Sequence, residues 1–381
     1  MRRPIISLIV IAAVLSLVAL TTLSRAGAPR SESGSNAGLV MLETEGSAGV
    51  SVRMAEELSR ATNDGKTRRV LPVIGGGSLQ NIMDLSLLPG IDVAILETDV
   101  LEYVKQQKLI PGIESWMTYI SKLSDEEFHL IARTEIKSIS DLANHDVSVD
   151  VGSAGTEITA ARLFDLLRIP VHTVNYDPQQ ALEKLRRGEI AALALVAGKP
   201  APLLCELIGE TELHFLSIPL NPAVNAGYLP ARLSAGDYPS LIPFNQPIET
   251  IAVGTVLAVA NLQAGSDRYR NVTNFVEAFF SRFQSLLQPG RHQKWHEVDL
   301  TRELPGWRRF PPAAQWLKRN AQVATAPTVE GLKSDFARFI EERQQASGGA
   351  PLSQQEKDRL FDQFKNWASE RPGLWQRVPP H

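Results

Sequence analysis

The chain has 381 residues, which is enough for a large core and for two domains, and its composition is ordinary for a soluble globular protein. Its formal net charge of −3 argues against a strongly basic nucleic-acid-binding face, so no nucleic acid is expected as a partner. Cys205 is the only cysteine, which excludes an intrachain disulfide and a cysteine-rich metal site.

The N terminus has the layout of an export signal. Two arginines precede an apolar run over residues 5–23, and Ser24-Arg25-Ala26 offers a small-x-small cleavage site. We interpret residues 1–26 as a signal peptide; the run is also long enough for an uncleaved inner-membrane anchor. Export without disulfides is typical of the bacterial periplasm, which is the predicted location. Residues 27–37 are predicted to be a flexible linker.

Predicted strands and helices alternate along the next part of the chain. Runs rich in branched residues predict strands at 39–42, 69–74, 92–96, 128–133, 147–151, 171–176, 191–196 and 214–218. Apolar residues three or four apart predict helices after most of these strands. Asp177 and Pro178 mark the start of one helix and Gly188 its end. This alternation predicts an α/β fold with parallel, doubly wound sheets.

The later part of the chain indicates a return to the first lobe. A Pro-rich stretch over 219–247 precedes a β-rich run at 251–260, and a helix is predicted over 271–287. The predicted boundaries are 38–130 and 252–326 for lobe 1, 131–251 for lobe 2, and 327–381 for a C-terminal helical extension.

Three Gly/Ser turns each lie between a predicted strand and a predicted helix. They are Glu45–Gly49, Gly75–Ser78 and Gly152–Thr156. Free N–H groups at a helix start favour an anion, and small residues let the backbone approach it. The predicted ligand contacts in these segments are Gly46, Ser47, Gly49, Gly77, Ser78, Asn81, Ser153, Gly155 and Thr156. For Ser78 the alternative is that it only caps the next helix.

Polar residues also follow two other predicted strands. Glu97 and Thr98 come after the strand 92–96, and Lys199 comes after the strand 191–196. Ligands of open α/β sheets bind at the carboxyl ends of the strands, so all three are candidate ligand contacts. The alternatives are that Thr98 or Asp99 caps the following helix, that Glu97 points into a salt bridge or solvent outside the pocket, and that Lys199 is solvated.

The enzyme motifs are incomplete. The glycines at 75–77 do not continue into a dinucleotide fingerprint, because Gln80 stands where the last glycine is needed. Gly65-Lys66-Thr67 lacks the first glycine of a P-loop, and His296 is not followed by the second histidine of a zinc-protease helix. A hydrolase or transferase would need a base beside Ser78 or Ser153, and the sequence marks none. We therefore predict a protein that is not an enzyme, with no cofactor and no metal.

The order of these features resembles the TAXI family, the solute receptors of one branch of tripartite ATP-independent periplasmic (TRAP) transporters. The similarity spans roughly residues 39–320 and is carried by the segments Pro72–Asn81, Gly90–Val100, Asp150–Ala160, Arg187–Pro200, Tyr238–Pro239, Glu249–Val253 and Phe310–Asn320. It implies a type II periplasmic binding protein fold, in which two doubly wound α/β lobes enclose a ligand cleft. It also implies an extracytoplasmic receptor that delivers a small anionic organic acid or an amino acid to TRAP-type permease subunits. We expect a monomer.

Two departures from the family pattern concern the ligand. Val50 and Ser51 stand where the family usually has an aromatic pair, and Glu97 stands where it often has glutamine. The carboxylate of Glu97 would repel a simple dicarboxylate and would suit an amino group. The alternative function is a two-lobed sensory or scaffold protein of the same fold, which uses its C-terminal helices to bind a membrane or periplasmic partner.

Overall fold

The computed structural model describes residues 37–46, 49–150 and 154–320. The predicted signal peptide, nearly all of the linker and the C-terminal extension lie outside the described residues, as do Ser47 and Ser153. Among the helices in the described part of the chain, none is long and apolar enough to cross a bilayer.

The first part of the fold alternates strands with helices, as the sequence predicts. Its elements are β1 (Leu39–Thr44), α1 (Val50–Thr62), β2 (Arg69–Ile74), α2 (Ser78–Leu87), β3 (Val93–Glu97), α3 (Thr98–Gln106), α4 (Ile113–Trp116) and β4 (Thr118–Arg133). A 3₁₀ turn over Ile139–Leu142 follows.

The middle part continues the alternation with shorter elements. They are β5 (Asp146–Asp150), α5 (Ala154–Leu167), β6 (His172–Tyr176), α6 (Pro178–Arg186), β7 (Ala192–Ala197), α7 (Pro202–Cys205), β8 (Leu213–Phe215), α8 (Pro222–Asn225) and β9 (Leu229–Leu233). The predicted start of α6 is confirmed, because the Asp177 side chain accepts hydrogen bonds from the N–H groups of Gln179 and Gln180.

The last described part returns to the first strands. It contains β10 (Ile248–Val259), α9 (Asp267–Ser281), α10 (Phe283–Leu286), a 3₁₀ turn (Gln293–Glu297), β11 (Arg308–Arg309) and α11 (Pro311–Arg319). The helix predicted over 271–287 is therefore two helices, since the backbone leaves the helical region at Arg282.

The strands of the described residues form one mixed sheet in the order β2-β1-β3-β10-β4-β7-β5-β6, with β8, β9 and β11 paired to its central strands. Pairs near both ends of the sheet are parallel, as the alternation predicts. The two long central strands, β4 and β10, run antiparallel to each other. Strand β4 is also antiparallel to β7, and β10 is also antiparallel to β3. They join the parallel strand groups on either side of them.

Strand β4 begins at Thr118, ten residues before its predicted start. Ser121, Lys122, Asp125 and Glu126 give this stretch a polar composition that is not typical of a buried strand. Its pairing with β10 nevertheless buries Ser121 and Glu126, while Lys122 and Asp125 are half-buried. Tertiary packing therefore overrides local preference here, and it brings Glu126 into the interior.

The aromatic residues of the C-terminal part pack against the N-terminal strands. One hydrophobic cluster joins Val40 and Leu42 of β1 to Phe275 and Phe279 of α9 and to Trp295. A second core, around Phe128 and Val149, lies under the strands β5 and β7. Each group of parallel strands thus has its own apolar core.

Candidate functional site

A cavity of about 670 Å³ lies at the carboxyl ends of several strands. Its walls include Glu45 after β1, Ile74 at the end of β2, Glu97 at the end of β3 and Ala197 at the end of β7. This edge is where ligands of open α/β sheets bind. The volume is in the range of sites for small organic molecules.

Helix starts complete the walls of the cavity. Gly49 precedes α1, and Pro178 begins α6, and both line the cavity. The φ angle of Gly49 is 94°, and that of Gly77 before α2 is 89°, so both turns use backbone conformations that favour glycine. Glycine at these two positions therefore permits the turns that lead into α1 and α2.

Ser78 connects two of the acidic residues of the cavity. Its hydroxyl oxygen accepts a hydrogen bond from the backbone N–H of Glu97 at 2.7 Å, and its O–H donates to the carboxylate of Glu45. Ser78 is buried and is the first residue of α2, whose N-cap is Gly77. The alternative that Ser78 caps the helix is therefore wrong. Its hydroxyl instead fixes the turn after β1 against the end of β3.

Glu97 lines the cavity and is only 4% exposed. Burial raises its pKa well above the usual range, and the nearby carboxylates of Glu45, Asp99 and Glu126 raise it further. The helix that follows has no side-chain cap, so the prediction that Thr98 caps it is wrong. Thr98 is half-buried and does not line the cavity.

Glu126 projects into the same cavity from the central strand β4. It is 7% exposed, and no described residue donates a hydrogen bond to its carboxylate. Burial raises its pKa well above the usual range, and the charge of Glu45 adds to this effect, while the charge of Lys294 opposes it. Burial also raises the pKa of Glu45 to about 7, and one carboxylate oxygen of Glu45 has no hydrogen-bond partner. Three carboxyl groups, from β3, β4 and the turn after β1, thus share one cavity.

Two glycines provide close contacts beside this cavity. A Cβ atom added at Gly155, near the start of α5, would overlap the carboxylate of Glu97. A Cβ atom added at Gly198, after β7, would overlap the side chain of Val50 at the start of α1. The structure therefore packs the start of α5 against the end of β3, and the segment after β7 against the start of α1.

Several predicted contacts have structural partners instead of facing the cavity. Thr156 is buried, and its hydroxyl oxygen accepts a hydrogen bond from the Val196 N–H at 3.1 Å. The amide of Asn81 donates to the backbone carbonyls of Thr44 and Ile95. These side chains hold strand ends and helix starts together, so they support the cavity walls.

Lys199 is also directed away from the cavity. Its ammonium donates to the carbonyl of Arg232 at 2.5 Å and lies 3.5 Å from the carboxylate of Asp237. Its backbone N–H donates to Glu127 at 3.0 Å. Of the predicted site residues, the structure places Gly46, Gly49 and Glu97 in the cavity lining, with Gly77, Ser78 and Gly155 directly behind it.

Sequence reasoning missed the acidic partners of Glu97. Glu45 was interpreted only as the first residue of a turn, and Glu126 falls in the part of β4 that was not predicted as a strand. A signal for Glu126 does exist, because the stretch from Thr118 to Arg133 has no glycine or proline to interrupt a strand. Among the described residues, no group of three histidine, cysteine or acidic side chains is placed to hold a metal ion.

Another buried acid, Glu43 on β1, allows a test of whether burial raises the pKa of carboxyl groups in this part of the protein. Burial raises its pKa to about 8, and a hydrogen bond and the negative charge of Asp84 contribute. The folded state then holds a proton that the unfolded chain releases from about pH 4.5 upward, so the free energy of unfolding falls as the pH rises towards 8. Glu43→Gln should reduce this fall by on the order of 2–4 kcal/mol, as measured by urea unfolding at pH 5 and pH 8. The exposed Glu114→Gln is the control, and an equal fall in all three proteins would contradict the prediction.

The family comparison bears on the segment that contains this cavity. The model of the NMT1-like family matches residues 49–302. The chain belongs to the NMT1-like family. The match includes Glu97, Glu126 and both close-contact glycines. The TAXI resemblance remains a prediction within this assignment. A comparison with curated protein sequences finds no match.

Solved structures similar to this NMT1-like chain include binding proteins. A TctC solute binding protein from Polaromonas, without ligand, is 15% identical, with a TM-score of 0.40 over 68% of this chain and 85% of that one. Arginine-bound ArgBP from T. maritima, in a Gly52Ala mutant, is 14% identical, with a TM-score of 0.37 over 65% and 96% of the two chains. The periplasmic aliphatic sulphonate binding protein SsuA from Escherichia coli is 14% identical, with a TM-score of 0.38 over 89% and 96%.

Proposed function

We propose that this protein is an extracytoplasmic receptor that binds a small organic solute reversibly in the cavity between the strand ends. The observation that carries the proposal is the cavity itself, which combines glycine turns, helix starts and buried carboxyl groups at the edge where α/β sheets bind ligands. The export signal predicted at residues 1–26 supports a periplasmic location.

The arrangement supports binding without catalysis. The hydroxyl side chain in the described lining is that of Ser51, whose oxygen accepts a hydrogen bond from the Glu45 N–H at 3.3 Å. The Ser78 hydroxyl lies behind the lining and is engaged between the Glu45 carboxylate and the Glu97 backbone. The buried pair of His129 and Tyr238, joined at 2.7 Å, does not line the cavity. A nucleophile needs a base within hydrogen-bond reach, and no described carboxylate or histidine accepts a hydrogen bond from the Ser51 hydroxyl.

The partner that we propose is a TRAP-type membrane permease. The support for this part is the TAXI resemblance of the sequence, with its order of motifs from Pro72 to Asn320. A solute-loaded monomer would deliver its cargo to the permease subunits. Uptake of the bound solute into cells should require both this protein and a permease encoded beside it, and unchanged uptake after deletion of that permease would contradict the pairing.

A thermal-shift screen of amino acids, amines and organic acids tests the receptor function. A solute present at about 100 times its dissociation constant stabilises the folded state by roughly 2.7 kcal/mol, which corresponds to about 3–4 °C in a chain of this size. The variant Ala197→Trp, which fills part of the cavity, should lose the shift. The control Leu109→Trp, at a side chain that is 50% exposed, should keep it. A shift that survives in Ala197→Trp would place the binding elsewhere.

A further inference from the structure

The described cavity lining has a single sign of charge. Its ionisable side chains are all acids: Glu45, Glu97, Glu126, Asp177 and Glu206. No lysine, arginine or histidine is among the described lining residues. Asp177 and Glu206 are exposed, whereas Glu97 and Glu126 are buried. A solute with acidic groups alone would find no cationic partner among these residues.

The buried acids lack the partners that buried acids normally have. The carboxylate of Glu126 accepts no hydrogen bond from the described residues, and one oxygen of Glu45 is buried without a partner. A buried polar group without a hydrogen bond is costly, and a buried charge without a partner is more so. Glu45 and Glu126 therefore have hydrogen-bonding capacity that the described protein does not use.

The nearest protein cation does not satisfy Glu126. Lys294 donates instead to Glu127 at 2.8 Å, lies 2.9 Å from Glu297 and donates to the carbonyl of Asp125 at 2.7 Å. Those three groups use the donors of its ammonium. Glu126 and Glu127 are adjacent on β4, so their side chains point to opposite faces of the strand. The positive charge thus lies behind the strand and the cavity side stays acidic.

Apolar side chains form the rest of the inner wall. Val50, Leu195, Val196 and Leu203 line the cavity beside the carboxyl groups. A ligand that matches this wall has a compact cationic end and an aliphatic body. A bare metal ion would leave the apolar wall unused, and the acids are not grouped to coordinate one.

Building on the proposed function, we propose that the solute carries an amino or guanidinium group that binds among Glu45, Glu97 and Glu126, with its aliphatic part against Val50 and Leu203. An ammonium or guanidinium group supplies several N–H donors, which the lining carboxyl groups can accept. A bound cationic group favours the ionised form of these carboxyl groups, which burial and their proximity to one another disfavour in the empty cavity.

Equilibrium dialysis against a defined mixture tests this proposal. The mixture holds equal concentrations of 1,4-diaminobutane, L-lysine, L-arginine, L-glutamate, succinate and 1,4-butanediol, together with a bacterial metabolite extract, and retained compounds are identified by mass spectrometry. We expect the retained compounds to carry a cationic group. Glu126→Gln and Glu97→Gln should each weaken their binding about ten- to a hundredfold, whereas Glu114→Gln, which is exposed and remote from the cavity, should not.

The outcomes separate this inference from the receptor function. Retention of succinate, or of another compound without a cationic group, would overturn the inference and leave the receptor function standing. Retention of nothing would count against both. Misfolding does not obscure the result, because glutamine resembles the protonated form that burial favours at both positions. Variants that bind an amine as tightly as the parent protein would also overturn the inference.

Discussion

Gly155→Ala should destabilise the protein by about 1–3 kcal/mol and weaken solute binding at least tenfold. Gly155 lies in the first turn of α5, where alanine would by itself favour the helix. The expected loss therefore comes from the overlap between the new Cβ atom and the carboxylate of Glu97. Either α5 or Glu97 must move, and both are buried beside the cavity. Urea unfolding and calorimetric titration with a solute found in the screen measure the two effects.

Two comparison variants isolate that overlap. Gly90→Ala places its Cβ atom in open space, so it should be close to neutral. Adding Glu97→Ser to Gly155→Ala removes the overlapping carboxylate and should recover most of the lost stability. A Gly155→Ala protein that is more stable than the parent would show that this contact does not exist.

Lys294→Met should destabilise the protein by about 3–5 kcal/mol, because it leaves the carboxylate of Glu127 buried without its cation. Burial raises the pKa of Glu127 even beside Lys294, and loss of the ammonium should raise it further. Protonation of Glu127 relieves the unpaired charge, so the loss should be smaller at pH 5 than at pH 8. Unfolding in urea at both pH values measures the difference.

The double variant Lys294→Met with Glu127→Gln gives the matching control. It removes both charges, so its stability should lie closer to the parent and should lose the difference between pH 5 and pH 8. Glu127 pairs with strands on both sides, opposite Ala252 of β10 and Ala197 of β7. If Lys294→Met lowers the free energy of unfolding equally at both pH values, the ion pair between Lys294 and Glu127 does not contribute to stability as proposed.

The alternating elements were predictable because their signals are local. Residues 69–74 form a strand with the predicted bounds, and Asp177-Pro178 starts a helix, because branched residues, caps and prolines act within a few positions. Glu97 at the end of β3 was predictable for the same reason. Whether the Glu97 side chain faces the cavity depends on how the strands pack together, and the structure places it in the cavity wall.

The acidic character of the cavity was not predictable from the sequence. Glu45, Glu97 and Glu126 are distant in sequence and meet only because β4 pairs with β10, which in turn pairs with β3. Lys199 was predicted as a ligand contact because it follows a strand, but its ammonium donates to the carbonyl of Arg232. The described cavity lining therefore has no contribution from this positive charge. Strand order and side-chain direction decide the chemistry of this site, and neither follows from local pattern alone.

A crystal structure of the protein with a solute retained in dialysis tests the central claim most directly. We expect electron density in the cavity, with a nitrogen of the solute within about 3 Å of carboxylate oxygens of Glu97 and Glu126. Solute density elsewhere on the protein, or a cavity that stays empty while the solute is bound, would contradict it.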